Sequence, residues 1–152
     1  MSLKVSIITV CYNSEKTIEE TIRCVLNQDY QNIEYIIIDG DSNDNTLEVI
    51  NKYREKVDIL ISEKDAGIYD AMNKGIKMAS GDIIGILNSD DTYLNEKVLS
   101  KVCDHLSGNT ATMGVYSNLY YVKKNKINRV WETGFIDSSS LLKGNIIPHP
   151  TL

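Results

Sequence analysis

The stretch Gly85-Ile86-Leu87-Asn88-Ser89-Asp90-Asp91 decides the fold of this sequence, because an apolar strand (83–87) ends there in two adjacent carboxylates. Neighbouring carboxylates repel each other unless a cation or hydrogen-bond donors lie between them. Open α/β sheets bind ligands at the carboxyl ends of their strands. The stretch therefore predicts a site for a hard divalent cation that carboxylate and phosphate oxygens hold together. The alternative is an Asp-rich turn in which Asp91 caps the next helix.

The composition is that of one soluble globular domain of 152 residues. The net charge of −5 argues against nucleic acid as a partner. Residues 123–126 (KKNK) form the richest basic stretch, which we interpret as a hairpin tip that could touch an acidic surface. The last residues, 148–152 (PHPTL), contain no helix stop, so we expect a fragment of a longer protein.

The three cysteines are widely spaced and form neither a metal-binding pattern nor a disulfide framework. This predicts a reducing compartment. Cys24 and Cys103 fall on apolar faces of predicted helices and are expected to be small core residues. We find no signal peptide and no apolar run long enough to span a bilayer.

Strand and helix patterns alternate along the chain. The predicted strands are 4–10, 34–39, 57–61 and 82–87; the predicted helices run from a cap at Asn13 or Ser14 to about 28, and over 44–54, 68–79 and 95–106. Four such units in succession predict an α/β fold with a parallel sheet, helices on both faces and right-handed crossovers. Residues 115–122 and 127–131 predict an antiparallel hairpin, which would make the sheet mixed. The third helix is expected to carry Ile68, Met72, Ile76 and Ala79 on one apolar face.

The loops after the first two strands carry side chains that a nucleotide would use. Tyr12 can stack on a base, the backbone of Thr9 and Val10 can bind the base edge, and the following helix N-terminus favours an anion. Asp39 ends a buried strand, where a charge needs donors such as the N–H of a nucleobase. Asp44 is expected to cap the second helix, and Asp41 could do either.

The loops after the third and fourth strands add further candidates. Gly67 permits close approach of the backbone to a ligand. Lys74 could reach a phosphate, although a solvated helix lysine is the commoner case. The dinucleotide and P-loop glycine motifs are absent after the first strand, which argues against a nicotinamide dehydrogenase or a P-loop hydrolase. No Ser/His/Asp arrangement is evident either.

Four motifs in order resemble the nucleotide-binding half of the family 2 glycosyltransferases. They are VSIITVCYN (5–13), YIIIDGDSND (35–44), DAGIYDAMNKG (65–75) and GDIIGILNSDD (81–91). The resemblance covers roughly residues 4–106 and implies the GT-A fold, a Rossmann-type open twisted sheet. It divides the chain into a nucleotide-sugar-binding part (4–110) and the start of an acceptor-binding part (111–152).

The resemblance implies a nucleotide-diphosphate-sugar donor, UDP-sugar by default, and Mg²⁺ or Mn²⁺. Asp91 would hold the metal, and Asp90 would contact the metal or the ribose. The remaining residues of the implied donor site are Thr9, Val10, Tyr12 and Asp39 around the base, Gly67, Asn73 and Lys74 near the base and sugar, and Asp41 and Ser89. Many relatives have Asp where this chain has Asn88, so metal binding should depend on Asp91.

The implied reaction is inverting transfer of a hexose to a hydroxyl of a saccharide or lipid-linked acceptor, in surface polysaccharide synthesis. The catalytic base is expected beyond Leu152, and His149 is expected to line the sugar site. The location implied is cytoplasmic or peripheral at the inner face of the membrane. A cut interface could also drive formation of a homodimer.

Two other functions stay open on the sequence. Without its base, the chain would be inactive and act as a donor-binding module that holds a nucleotide without turnover. A nucleotidyltransferase would usually need a basic, glycine-rich loop after the first strand. Here that loop has no basic residue before Lys16, which disfavours this function.

Overall fold

The computed structural model describes residues 2–108, 112, 114–124 and 126–134, so the prediction for His149 lies outside the described residues. The strands are β1 Val5–Cys11, β2 Ile33–Asp39, β3 Ile59–Ser62, β4 Ile83–Ile86, β5 Leu119–Lys123 and β6 Lys126–Trp131. The helices are α1 Ile18–Leu26, α2 Thr46–Asn51, α3 Ile68–Met78 and α4 Val98–Gly108, with a 3₁₀ turn at Arg54–Lys56. Within these residues no helix has the length and apolar character needed to cross a bilayer.

The first four strands form one parallel sheet in the order β3-β2-β1-β4, as the sequence predicts. The pairing register places Cys11 beside Asp39, and Asp39 beside Ser62. The carboxyl ends of the three neighbouring strands are therefore level with one another. The loops that follow them start at the same edge of the sheet.

Alternate side chains of the two central strands enter two different cores. Ile7 and Ile37 pack with Ile22 of α1 in a core that also includes residues of α2 and α4. Ile8 and Ile36 pack against α3 on the other face. The predicted placement of helices on both faces is confirmed, and it explains why β1 is buried along its whole length.

Helix α3 packs on the sheet through only part of its predicted apolar face. Ala71, Met72 and Gly75 are buried and Ala79 packs beside them, whereas Ile68 and Ile76 are 47% and 40% exposed. A Cβ at Gly75 would lie 2.4 Å from a methyl carbon of Ile8. The bare glycine lets the helix pack closely, and this turns the face with Ile68 and Ile76 toward solvent.

Several helix boundaries differ from their predictions. The first helix begins at Ile18, because Asn13 has a left-handed φ of 50° and Ser14 heads a separate turn, its carbonyl accepting from Thr17 and Ile18. The second helix ends at residue 51 and gives way to the 3₁₀ turn, and the fourth begins at residue 98 instead of 95. Each local turn satisfies backbone groups that a longer helix would otherwise bond.

The predicted hairpin is present but the mixed sheet is not. Strands β5 and β6 pair with each other in antiparallel fashion through a turn in which Lys124 has a φ of 51°. In the described parts of the chain they form a two-stranded sheet of their own. The tight turn brings β5 and β6 together, so they pair with each other and not with a strand of the parallel sheet. Among the cysteines, Cys103 is buried as expected, whereas Cys24 is half-buried and accepts the N–H of Tyr93.

Candidate donor-binding site

The loop after β1 is joined to the loop after β2 by a series of hydrogen bonds. The N–H of Asn13 donates to Oγ of Ser42 (2.8 Å), and the N–H of Asn43 donates back to Oδ1 of Asn13 (2.9 Å). The N–H of Ser14 donates to Oγ1 of Thr46 (2.7 Å). Two loops that are about thirty residues apart in sequence therefore form one rigid wall.

The carboxylate of Asp44 adds a further hydrogen bond between these two loops. Its Oδ1 accepts the N–H of Thr46, the first residue of α2 (2.9 Å), and its Oδ2 accepts the N–H of Glu15 (3.1 Å). Partial burial raises the pKa of this carboxyl, but the bonds from Thr46 and Glu15 outweigh it and lower the pKa below its usual value. Asp44 thus bonds the start of α2, as predicted, and also holds the first loop.

Asp39 is fully buried at the end of β2, and four donors surround its carboxylate. Oδ1 accepts from the hydroxyl of Ser42 and the thiol of Cys11. Oδ2 accepts from the hydroxyl of Ser62 (2.7 Å) and the N–H of Ser42 (3.1 Å). These donors explain how a carboxylate is accommodated there. Burial, and then the nearby charge of Asp39, raise the pKa of the Cys11 thiol, which favours the neutral donor.

Sequence reasoning missed Ser42 and Ser62 as partners of Asp39. The signal for Ser62 lies in the strand register, since it ends β3 directly beside Asp39. The signal for Ser42 is its position three residues after Asp39, the spacing of a local side-chain turn. Because Asp39 already accepts four donors, a nucleobase edge would have to displace one of them to bind its carboxylate.

The loop after β3 lies against the loop after β2. A Cβ at Gly40 would lie 2.6 Å from Oδ2 of Asp65, so a larger residue there would displace that carboxylate. Gly67 has a φ of 115°, a conformation that favours glycine. Its N–H donates to Oδ1 of Asp65 (2.8 Å), and the N–H of Ala66 donates to Oδ2 of Asp70 (3.1 Å). The third loop therefore joins the same edge.

The loop after β4 completes the arrangement. The hydroxyls of Ser89 and Ser14 share a hydrogen bond of 2.8 Å, which ties the fourth loop to the first. Nδ2 of Asn88 donates to Oδ2 of Asp91 (3.1 Å), and Oγ1 of Thr21 donates to the Asp91 carbonyl (2.9 Å). Oδ1 of Asn88 is buried, and no group in the described residues bonds it.

An open cleft of about 500 Å³ lies where the first, second and fourth loops meet. Its lining combines carboxylates, small polar side chains, one lysine and the turn that precedes α1. The lining residues are Asn13, Ser14, Glu15, Lys16, Thr17, Asp44, Ser89 and Asp90. Of the residues predicted for donor binding, Ser89 and Asp90 line this cleft.

The other predicted site residues divide into accessible and inaccessible positions. Tyr12, Asp41, Gly67 and Asn73 are exposed on the loops and on α3. Thr9 and Val10 lie inside β1, because the strand continues to Cys11, and the Thr9 hydroxyl bonds the hydroxyl of Tyr35 (3.1 Å). The structure therefore does not bring those two side chains to the cleft.

The ammonium of Lys74 is engaged by groups of α3 and of the loop that follows β3. Its Nζ lies 2.9 Å from a carboxylate oxygen of Glu63 and 3.7 Å from one of Asp70, and it donates to the Lys64 carbonyl (2.9 Å). The bond with Glu63 raises the pKa of Lys74 despite some desolvation. A phosphate would have to compete with these groups for the ammonium.

The carboxylates at this edge are too few to bind a divalent cation by themselves, so phosphate oxygens of a bound nucleotide would have to complete its coordination. Across the described ranges, no three His, Cys, Asp or Glu side chains lie close enough to hold a metal. Mg²⁺ commonly binds one or two carboxylates together with phosphate oxygens and water. Asp90, which lines the cleft, and Asp91, which the Asn88 amide bonds, could supply the carboxylates of such a site.

Comparison of the sequence with profiles of known protein families identifies the family of this chain. Residues 6–149 match the profile of "Glycosyl transferase family 2". The chain belongs to glycosyltransferase family 2. The match covers all four loops of the sheet edge, and the family suggested by the sequence motifs is confirmed.

Curated members of the glycosyltransferases align over most of the chain. An uncharacterized glycosyltransferase of Haemophilus influenzae is 36% identical over 146 residues, which are 93% of this chain and 58% of that protein. The Escherichia coli protein UDP-Glc:alpha-D-GlcNAc-diphosphoundecaprenol beta-1,3-glucosyltransferase WfaP is 37% identical over 121 residues, 79% of this chain and 47% of that protein. The present chain thus spans about half the length of these relatives.

Solved glycosyltransferases share the fold. Staphylococcus aureus TarS, in a structure of its residues 1–349 with UDP-GlcNAc, is 30% identical with a TM-score of 0.63, over 70% of this chain and 32% of that one. The mannosyltransferase PcManGT of Pyrobaculum calidifontis, at 24% identity and a TM-score of 0.66 over 82% of this chain and 36% of that one, shows the fold alone. The GT-A fold expected from the motifs is confirmed.

Proposed function

We propose that this chain contains the donor-binding part of an inverting glycosyltransferase that transfers a hexose from a UDP-sugar to a hydroxyl acceptor. Membership of family 2 supports the transferase class. The name of WfaP specifies UDP-glucose, and TarS was solved with UDP-GlcNAc, which favours a uridine nucleotide here. We assign donor binding to residues 4–110 and the start of the acceptor-binding part to residues 111–152.

The observation that carries the proposal is the joining of the loops at one sheet edge. The bond between Ser14 and Ser89 and those from Asn13 and Ser14 to the second loop build a cleft before any ligand arrives. A preorganised site of this kind binds with a smaller ordering cost. Most backbone N–H groups of the turn before α1 already donate within the chain, so Lys16, which also lines the cleft, would supply the positive charge for a diphosphate.

We assign the parts of the donor to the residues that the sequence motifs predict. Tyr12, which is 60% exposed, would stack on the base, with Asp39 and Asp41 at the base edge. The main chain of Thr9 and Val10 is assigned to the deep end of the base site. Gly67, Asn73 and Lys74 would lie near the base and sugar; Ser89 and Asp90 would contact the ribose.

Asp91 and Asp90 are the residues that would hold Mg²⁺ or Mn²⁺. When bound, the cation would supply Lewis-acid stabilisation of the negative charge that develops on the departing nucleoside diphosphate. Asn88 carries no charge, and its amide holds Asp91 through a hydrogen bond. Metal binding would therefore depend on the charge of Asp91, with Asp90 behind it.

The acceptor and the general base belong to the acceptor-binding part. A base there would take the proton of the acceptor hydroxyl as the oxygen attacks the anomeric carbon, a role that typically contributes ~10²–10⁴-fold. The name of WfaP describes a lipid-linked saccharide acceptor. By analogy, we propose a saccharide or lipid-linked acceptor for surface polysaccharide synthesis, and a cytoplasmic protein at the inner face of the membrane.

A calorimetric titration of the chain with UDP, GDP and dTDP, each with and without Mn²⁺, tests the proposal. We expect Mn²⁺-dependent binding of UDP and weaker binding of the other two nucleotides. Tight binding of GDP or dTDP instead would identify a different donor nucleotide. Binding of none of them, by a chain whose circular dichroism spectrum shows that it is folded, would contradict the assignment of the cleft.

Substitution of Asp91 tests the metal assignment. Asp91→Ala should abolish the Mn²⁺-dependent part of UDP binding, because a cation that carries few protein ligands cannot lose one of them. Asp104→Ala, at an exposed position of α4, is the matched control and should bind as the wild type does. Unchanged UDP affinity of Asp91→Ala in Mn²⁺ would remove this residue from the metal site.

A further inference from the structure

The β5–β6 hairpin, called here the basic hairpin, differs in charge from the rest of the molecule. Between residues 119 and 131 the sequence contains four basic side chains (Lys123, Lys124, Lys126 and Arg129) and no acidic one. The whole chain has a net charge of −5. A concentrated positive region on an acidic protein indicates attraction to an anionic partner.

The same hairpin exposes large apolar side chains. Val122 and Ile127 lie opposite each other near the turn and are 63% and 59% exposed. Tyr120 and Val130 form the next exposed pair, and Tyr121 is also exposed. A contiguous set of this kind on a soluble protein marks a surface that something covers.

Arg129 links the charge to the aromatic side chains. Its Cζ lies 5.4 Å from the ring centre of Tyr121 and 6.0 Å from that of Trp131. These are cation–π distances. Tyrosine, tryptophan and basic side chains whose stems lie along apolar surface are the combination that proteins place at the boundary between water and lipid.

We propose that the basic hairpin binds the surface of an anionic phospholipid bilayer. The lysines near the turn would lie among the lipid phosphates, and Val122 and Ile127 would enter the headgroup region beside them. A two-stranded hairpin is marginal by itself, so contact with a membrane would also stabilise its pairing. The inference stands on the hairpin's own charge and exposure. The proposed function gives it a use, since a lipid-linked acceptor is presented at such a surface.

Vesicle flotation tests the proposal. The chain is mixed with vesicles of phosphatidylcholine alone, or with vesicles in which about one third of the lipid is phosphatidylglycerol. We expect binding to the anionic vesicles only, and a decrease as salt is raised, because screening shortens the reach of the charges. Binding to neither kind of vesicle, or equal binding to both, would overturn the proposal.

Paired variants locate the contact. Lys123→Glu with Lys126→Glu should weaken binding to anionic vesicles by at least about 20-fold, since each basic side chain near such a surface contributes about fivefold. Lys97→Glu with Lys101→Glu, exposed positions just before α4 and in its first turn, makes the same charge change and should have a much smaller effect. Equal losses in both pairs would indicate attraction to net charge alone and overturn the role of the hairpin.

A second pair separates apolar insertion from charge. Val122→Ser with Ile127→Ser leaves the lysines in place and should also reduce vesicle binding. If this variant binds as the wild type does, insertion is contradicted. UDP titration of all these variants is the independent readout: unchanged UDP binding with lost vesicle binding supports the hairpin, whereas failure of UDP binding in the wild type contradicts only the donor site.

Discussion

The parallel sheet and the basic hairpin are both β-structure, yet their side chains experience opposite surroundings. All seven residues of β1 are buried, whereas no described residue of β5 or β6 is. The sheet has helices on both faces and binds its loops together at one edge. Among the described residues, the strands of the hairpin pair only with each other. The difference indicates that the sheet provides the stability of the chain and the hairpin provides a surface.

The largest expected effect is on the free energy of unfolding, when an isoleucine is replaced by alanine in each of the two regions. Ile37→Ala removes a fully buried side chain of β2 and should lower the free energy of unfolding by about 2–5 kcal/mol. Ile127→Ala, at a hairpin position that is 59% exposed, should change it by less than about 0.5 kcal/mol. Urea unfolding followed by circular dichroism measures both. Equal losses would mean that the hairpin shares the core of the sheet.

The next effect compares two glycines. Gly75→Ala places a methyl group 2.4 Å from a carbon of Ile8 and should cost about 1–3 kcal/mol, although alanine favours a helix. Gly114→Ala, where no atom lies within 4 Å of the new Cβ, is the control and should be neutral or slightly stabilising. Thermal unfolding separates the two. A neutral Gly75→Ala would contradict close packing of α3 on β1.

Glu34 gives a pH-dependent contrast between the two edges of the sheet. Burial opposes its ionisation, but hydrogen bonds from Lys4, Ser6 and Ser80 outweigh burial and lower its pKa to about 2. Because the folded pKa lies below the unfolded value of about 4.3, this contribution is complete above about pH 5 and is lost as pH falls toward 2.

Glu34→Gln should therefore cost about 1.5 kcal/mol at pH 7 and progressively less at lower pH. The measurement is the free energy of unfolding from pH 7 to pH 3, for the variant and the wild type. Glu48→Gln, at an exposed position of α2, serves as the control and should give a small difference that is flat across this range. A constant Glu34 difference would show that its carboxylate is not preferentially stabilised in the folded chain.

The smallest expected effect is at Lys74. Its ion pairs with Glu63 and Asp70 are partly exposed, so Lys74→Met should change stability by less than about 1 kcal/mol. Lys74 is assigned to the donor site, but Glu63 and Asp70 already engage its ammonium, so we expect Lys74→Met to weaken UDP affinity by less than about tenfold. A tenfold loss of affinity in the titration would instead show that Lys74 leaves these partners for the donor.

Periodicity in the sequence predicted the parts of the fold that depend on burial. The continuous apolar run in β2 and the helical repeats gave the parallel sheet and its two helix layers, because the same pattern of burial produces both. It failed where packing chose between similar faces, as in α3. There the small side chains at Ala71 and Gly75 decide the contact, and a hydrophobicity pattern gives them little weight.

The motifs located the loops of the site but not their internal bonds. The positions of Tyr12, Asp90 and Asp91 after their strands followed from the strand ends. The four donors around Asp39 depend on contacts between separate strands and loops, and local sequence does not specify these. For the same reason the separate sheet of the hairpin could not be predicted, since pairing partners are set by tertiary packing.

Hydrogen exchange of the chain with and without UDP and Mn²⁺ tests the central claim most directly. The account predicts new protection in peptides that cover residues 11–16, 39–46, 65–70 and 88–91, which form the joined sheet edge, and unchanged exchange in residues 119–124 and 126–131. Protection confined to the hairpin, or absent from the four loops while UDP is bound, would contradict the assignment of the donor site.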